Sequence, residues 1–347
     1  MYWKFAIKRI INALIIYIIL IFIFSALFNV QMEQTIYAQI NENIKMESMQ
    51  LTNMSPEEME KWTNQRKEHY YTIYNLDKPF GQRILMRAFN ALTFNYGQST
   101  IIKAASGSRK VSDIVFEAVP RTLLLFMTAM VIDILLGFWL GIKKAQKAGK
   151  RMDKITSITT MVVYGMPSWW LGMLVIMVFC YMMPIFPSGS LHSTPLPGTP
   201  FLNFIDLIYH MILPVLTLVA IGFWGRAYLT RNIVLSTLQE DYIMSARARG
   251  IPERKVLYSH ALRSAAPPIV TMGLLALIMS VSGNILFEKI FNWPGMGNLY
   301  WISVQQNDIP VLMGNLSLTT GLYITGLAIL DLIYGFLDPR IKVGGKE

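Results

Sequence analysis

Few residues in this chain combine reactive chemistry with an unusual setting, and two aspartates come first. Asp133 and Asp331 each sit inside a stretch of otherwise apolar residues, where an ionised carboxylate is costly and a functional role is the first suspicion. Facing a central cavity, such a pair would suit proton-coupled transport. The other reading is a carboxylate near a helix end, paired within a bundle; Arg340 lies about two helical turns beyond Asp331. The four histidines, His69, His192, His210 and His260, are scattered among separate segments without metal-ligand spacing. Cys180 has no partner for an intrachain disulfide. No Gly-x-x-x-x-Gly-Lys-Ser/Thr run occurs, so the usual ATP-cradling loop is missing. These residues predict a chain that is no enzyme by itself and carries no catalytic residue, metal or cofactor.

The elements that must position these residues are apolar. Hydrophobic residues make up 53% of the 347 and charged ones only 15%, against roughly 25% charged in a soluble domain. Crossing roughly 30 Å of hydrocarbon takes about 20 helical residues. Six stretches qualify: Ile10–Phe28, Val119–Ile142, Ile155–Met182, Leu207–Gly225, Ile269–Phe287 and Met313–Leu337. They predict an all-α, polytopic membrane protein with six transmembrane helices. The third is long enough to tilt or bend, and Pro167 and Pro214 are expected to kink their helices. Lys4, Lys8 and Arg9 precede the first stretch as in a signal peptide, but its apolar run is too long for one. It reads as a retained anchor. Trp169, Trp170 and Trp293 suit membrane interfaces, and the many methionines suit packing.

Charge gives the orientation. With the N-terminus inside, the cytoplasmic pieces hold 19 of the 31 basic residues and six of the 21 acidic ones, a net +13 against −3 for the rest. Residues 183–206 contain no lysine or arginine, and 288–312 only Lys289. Both termini are thereby placed in the cytoplasm of a multi-pass cell-membrane protein. The overall +10 is a topology signal, and a nucleic-acid partner loses its support. The segment 31–118 becomes a long extracytoplasmic insertion of mixed charge. Within it, Ser55-Pro56-Glu57-Glu58 is a capping box with proline at the first helical position, opening a short helix toward Tyr71. Val111, Ile114 and Val115 suggest an amphipathic approach to the second span. Three parts result: 1–30, 31–118 and a five-helix core, 119–347.

Between the fourth and fifth spans, about 240–265, lies the segment richest in information. Small residues Ser245, Ala246 and Ala248 would let another protein approach the backbone. Arg247 and Arg249 offer ion pairs, and Gly250, before Ile251 and Pro252, permits a sharp change of direction. The residues alone leave two readings open: a basic loop that only fixes topology, or a docking segment.

The run YIMSARARGIPERKVLYSHALRSAAPPIVT, Tyr242 to Thr271, resembles the cytoplasmic signature of binding-protein-dependent ABC importer permeases of the dipeptide/oligopeptide/nickel branch. Three further runs resemble the same branch, in the same order: YNLDKPFGQRI (Tyr74 to Ile84) followed by FNYGQS, IFNWPGMGNLY (Ile290 to Tyr300) and DLIYGFLDPRIKV (Asp331 to Val343). Met244-Ser245-Ala246 stands where the general motif has Glu-Ala-Ala, and Asn307 where many members carry arginine. The resemblance implies a type I ABC importer permease fold. It also implies a coupling helix that docks on an ATPase, made here by Tyr242, Ser245, Ala246, Arg247, Ala248, Arg249, Gly250, Ile251 and Pro252, with His260 as a contact or local hydrogen-bond donor. The implied partners are a homologous second permease, two cytoplasmic ATPase subunits carrying ATP and Mg, and an extracytoplasmic substrate-binding protein. The implied cargo is a peptide, with nickel complexes or oligosaccharides as alternatives. A proton-coupled secondary transporter using Asp133 and Asp331 is the rival outside the family, and a membrane-anchored receptor using 31–118 a third reading.

Overall fold

The computed structural model describes residues 2–49, 51 and 54–337. Regular structure among them is helical apart from a single bridge between Gln98 and Lys110. Five helices are long and apolar enough to cross a membrane, and a sixth span results if one sharply bent pair is counted together. The chain divides into two compact units, Met1–Ala118 with Leu299–Glu347, and Val119–Asn298.

In the first unit, α1 (Tyr2–Ser48) does not stop where its apolar run ends. Beyond Phe28 a stripe at four-residue spacing, Ile36, Ile40 and Ile44, continues the helix by packing against aromatic residues of α2 (Pro56–Ile73). The capping box of α2 forms as expected: the Glu58 amide donates to Ser55 Oγ at 3.3 Å, and the Ser55 amide to the Glu58 carboxylate at 2.9 Å. α3 (Phe80–Leu92) runs back along α1, burying Ala88 and Ala91 beside Ile21 and Met313. α4 (Val111–Gln146) opens on buried Val111, Ile114 and Val115, the amphipathic approach read from the sequence. In this unit Arg9 lies 3.3 Å from Asp331. The buried Asp308 carboxylate accepts Ser99 Oγ at 2.5 Å and the Ile101 amide at 3.1 Å.

In the second unit the third apolar stretch is not one straight span. α5 (Arg151–Tyr164) and α6 (Ser168–Ile176), the latter prolonged by a wide turn over Met177–Met182, meet at 95°. The expected kink at Pro167 is a complete break, because proline removes a donor and also drives the preceding Met166 out of helical conformation. Pro214, by contrast, lies within the unbroken α7 (Pro200–Thr237). α7 also runs well past Gly225, where the fourth apolar stretch ends, so Arg226 and Arg231 belong to a helix and not to a loop. Gly137 and Gly141 of α4 make this possible. A Cβ at 137 would lie 2.8 Å from Arg226 Cβ, and one at 141 would lie 2.7 Å from the Ala227 carbonyl, the close approach that small residues four apart allow. Arg226 reaches Asp133 at 2.7 Å, and Arg231 grips Asp153 through two bonds of 2.7 and 2.8 Å.

Candidate functional site

The end of α7 leads into α8 (Asp241–Ala248), a helix of only two turns whose two sides differ completely. Ile243 and Ala246, one turn apart, are buried among Val234, Leu238, Val256, Leu257 and Ala261. Tyr242, Ser245 and Arg249 are exposed, as are Ala248, Gly250 and Pro252. Of the residues expected to meet a partner, Ala246 is the buried one, at 1% exposure, and its small side chain lets α8 sit close on its own chain. Ile251 is also drawn partly inward.

Gly250 ends the helix at φ +75°. The Ile251 amide reaches back to the Ala246 carbonyl at 3.3 Å and the Gly250 amide to the Arg247 carbonyl at 2.9 Å, the paired bonds of a Schellman turn with glycine in its left-handed position. Pro252 then starts α9 (Glu253–Lys255), which widens through Val256–Ala261 into α10 (Leu262–Ser280). Across the turn, Arg247 clasps Glu253 with bonds of 2.6 and 3.1 Å and donates to the Leu238 carbonyl at 3.3 Å. Arg247 thus ties α7, α8 and α9 together and is not a free docking charge. Its bond with Glu253 holds the guanidinium above its ordinary pKa. Glu253 and Leu238 were missed in the sequence, because residues six and nine apart across a glycine turn follow no helical spacing. His260 is half-buried within the widened turn. A groove of about 600 Å³ bordered by Gln146, Arg247 and Tyr258 adjoins the helix.

The run from Ile290 that carries part of the family resemblance folds inward. α11 (Ile285–Ile290) places Glu288 at the centre of a cradle. Its carboxylate accepts Thr122 Oγ1 at 2.9 Å and the Asn298 amide at 3.1 Å, while the Met296 amide donates to Thr122 Oγ1 at 2.7 Å. Burial pushes the Glu288 carboxyl up to about 7, against the pull of these donors. Gly283, Gly295 and Gly297 line the cradle, where a Cβ would meet Glu288, Thr122 or backbone at 2.3–2.9 Å. Trp293, suggested as a membrane anchor, is 1% exposed and donates to the Arg121 carbonyl at 2.9 Å.

Neither apolar-run aspartate is left as a lone charge facing a cavity. Asp133 is locked to Arg226, and Gly222 makes room for its carboxylate. Asp331 pairs with Arg9, whereas Arg340, its expected partner, lies outside the described residues. Asp206 draws together two histidines that the sequence scatters, His192 at 3.0 Å and His210 at 3.6 Å. Even so, no three metal-ligating side chains gather among the described residues.

Long apolar helices, ion pairs used for internal bracing and a short helix half offered to solvent describe an all-helical chain with five or six candidate membrane spans. The chain belongs to the family of binding-protein-dependent transport system inner membrane components, whose model matches residues 133–343. It is 31% identical over 276 residues to the oligopeptide transport system permease protein AppB of Bacillus subtilis, covering 80% of this chain and 85% of that one. It is 32% identical over 294 residues to the dipeptide transport system permease protein DppB of the same organism, covering 84% and 89%. With the Escherichia coli K12 protein of that name the identity is 35% over 246 residues, covering 65% and 73%. The chain is accordingly a permease component of an ABC transport system.

Proposed function

We propose that this permease is one of two homologous membrane subunits that together form a pathway for peptides delivered by an extracytoplasmic binding protein. Two cytoplasmic ATPases power it. In this reading both termini and the α7–α10 connection face the cytoplasm, residues 31–118 lie outside, and the first span joins a five-helix core within 119–347 in a type I importer fold. The peptide assignment is supported by the relatives, which are named as oligopeptide and dipeptide permeases.

The observation that carries the coupling role is the two-sidedness of α8. Its inner side is sealed by Ile243 and Ala246, its termination is fixed by Gly250, and Tyr242, Ser245 and Arg249 are left to solvent. A short helix braced in this way moves with α7 and α10 as one piece. Closure of the ATPases against its free face would then rock the bundle between two states.

The test is the purified complex in lipid, with ATP hydrolysis and uptake measured together. Ser245→Trp, at an exposed site, is expected to leave folding intact and to lower peptide-stimulated hydrolysis and uptake by about tenfold or more. Unchanged coupling with a tryptophan at 245 would refute α8 as the docking helix. Stimulation by a nickel complex or an oligosaccharide in place of di- and oligopeptides would refute the cargo.

A further inference from the structure

The first unit contains a charge imbalance that the transport reading does not use. Arg83 and Arg87, one turn apart on α3, face a single carboxylate on α1, with Glu33 3.2 Å from one and 3.5 Å from the other. Arg87 also donates to the Asn29 carbonyl at 3.2 Å. Arg83 keeps a buried Nε without a hydrogen-bond partner, and so does the Oγ of Ser25, a residue only 2% exposed. All three of these side chains border one cavity of about 330 Å³. Two largely buried guanidiniums sharing one carboxylate leave a net positive charge where desolvation is costly. An anion entering the cavity would offset it.

Depth along α1 narrows the choice of anion. The cavity extends from Ser25, inside the apolar run, to Ile36 beyond it. At 1.5 Å per residue that is about 16 Å of helix, and it brackets the level at which hydrocarbon gives way to headgroups. A second groove of about 420 Å³ is formed by Phe22, Leu85, Met86, Phe89 and Asn90. It shares Met86 and Asn90 with the first and reaches into the apolar run at Phe22. Leu85 and Phe89, also one turn apart on α3, are 55% and 66% exposed. The arrangement sets a cationic pocket at headgroup depth beside an apolar groove with which it shares Met86 and Asn90.

We propose that these adjoining cavities together bind one anionic phospholipid, with its phosphate on Arg83, Arg87 and Ser25 Oγ and an acyl chain along Phe22, Leu85 and Phe89. Free phosphate would answer the arginines but would leave the apolar groove uncovered. The inference rests on α1 crossing the membrane and not on the cargo or coupling assignments.

The test uses the assembled transporter in nanodiscs of equal phosphatidylglycerol and phosphatidylcholine. Lipid retained after transfer to detergent is counted by native mass spectrometry. The expected result is one phosphatidylglycerol per copy of this chain, preferred over phosphatidylcholine and not displaced by millimolar inorganic phosphate or a tripeptide. The pair Arg83→Gln and Arg87→Gln should reduce its occupancy by about tenfold. If that variant fails to assemble, Leu85→Ser with Phe89→Ser, at exposed positions, should still reduce retention severalfold. Equal retention of both lipids, occupancy unchanged in the variants that assemble, or displacement by phosphate or peptide would each overturn the proposal.

Discussion

The two connections that flank α10 both depend on glycine, for opposite physical reasons. At Gly250 nothing lies within 4 Å of where a Cβ would stand, and the backbone needs glycine only for its φ of +75°. At Gly297 the conformation is ordinary but the space is full, and an added Cβ would stand 2.9 Å from the Ile285 Cα. The first connection is a bend that leaves one face of α8 in solvent. The second is closed around a buried carboxylate, with Phe287, Phe291, Trp293 and Met296 all inside. One region leaves a face exposed, which the proposed docking would use, and the other is an internal joint whose neighbours are already chosen.

If that contrast is correct, the largest effect belongs to Glu288 and depends on pH. Its folded carboxyl titrates near 7 instead of 4.5, so the folded protein holds the proton more tightly than the unfolded chain. Stability from this group is fully present below about 4.5 and is lost as pH rises to about 7, a fall of about 3 kcal/mol. Unfolding midpoints of the purified protein between pH 4.5 and 8 should show this decline, and Glu288→Gln should flatten it. A flat wild-type profile would place the carboxylate in contact with water and break the comparison.

Next come the two glycines. Gly297→Ala forces a methyl against backbone that cannot rotate away, and should cost about 2 kcal/mol. Gly250→Ala meets no atom and incurs only the left-handed backbone penalty, about 1 kcal/mol. Denaturant titration of the two variants gives the ratio directly. Equal losses would mean that the α8 turn is as crowded as the Glu288 cradle.

These contrasts also mark where the sequence could be read. Local signals survived folding: the Ser55–Glu58 capping box, the start of α4 at Val111 and the interruption at Pro167 all depend on residues within a turn or two of one another. The length of α1 was legible in principle from Ile36, Ile40 and Ile44, but a polar segment after an apolar run masked the stripe. Other features were not available locally. Arg226 and Asp133 are 93 positions apart, and only the close approach over Gly137 and Gly141 turns a topology charge into an interior brace. Although only the family resemblance, and not composition, favoured docking, the small-residue composition of the 240–265 segment was recognisable. Which of its small residues points inward was not, because Ala246 and Ser245 are equally compact and only the packing of Ile243 separates their faces.

The smallest energetic effect should fall on the Arg247–Glu253 clasp, where the comparison can be sharpened most. Its side chains are 35% and 65% exposed, so water screens the pair and its loss should cost about 0.5 kcal/mol. The clasp nevertheless spans the Schellman turn and fixes the direction of α8 relative to α9. Glu253→Gln should therefore barely move the unfolding midpoint while lowering peptide-stimulated ATP hydrolysis severalfold, and moderate salt should weaken wild-type coupling in the same direction. Exchanging the charges, Arg247→Glu with Glu253→Arg, should recover part of the loss, because the attraction across the turn is restored while the bond to the Leu238 carbonyl is not. Coupling that withstands Glu253→Gln but collapses with Ser245→Trp would show that the Gly250 turn alone holds α8 in place. The docking face would then need no brace beyond the buried Ile243 and Ala246.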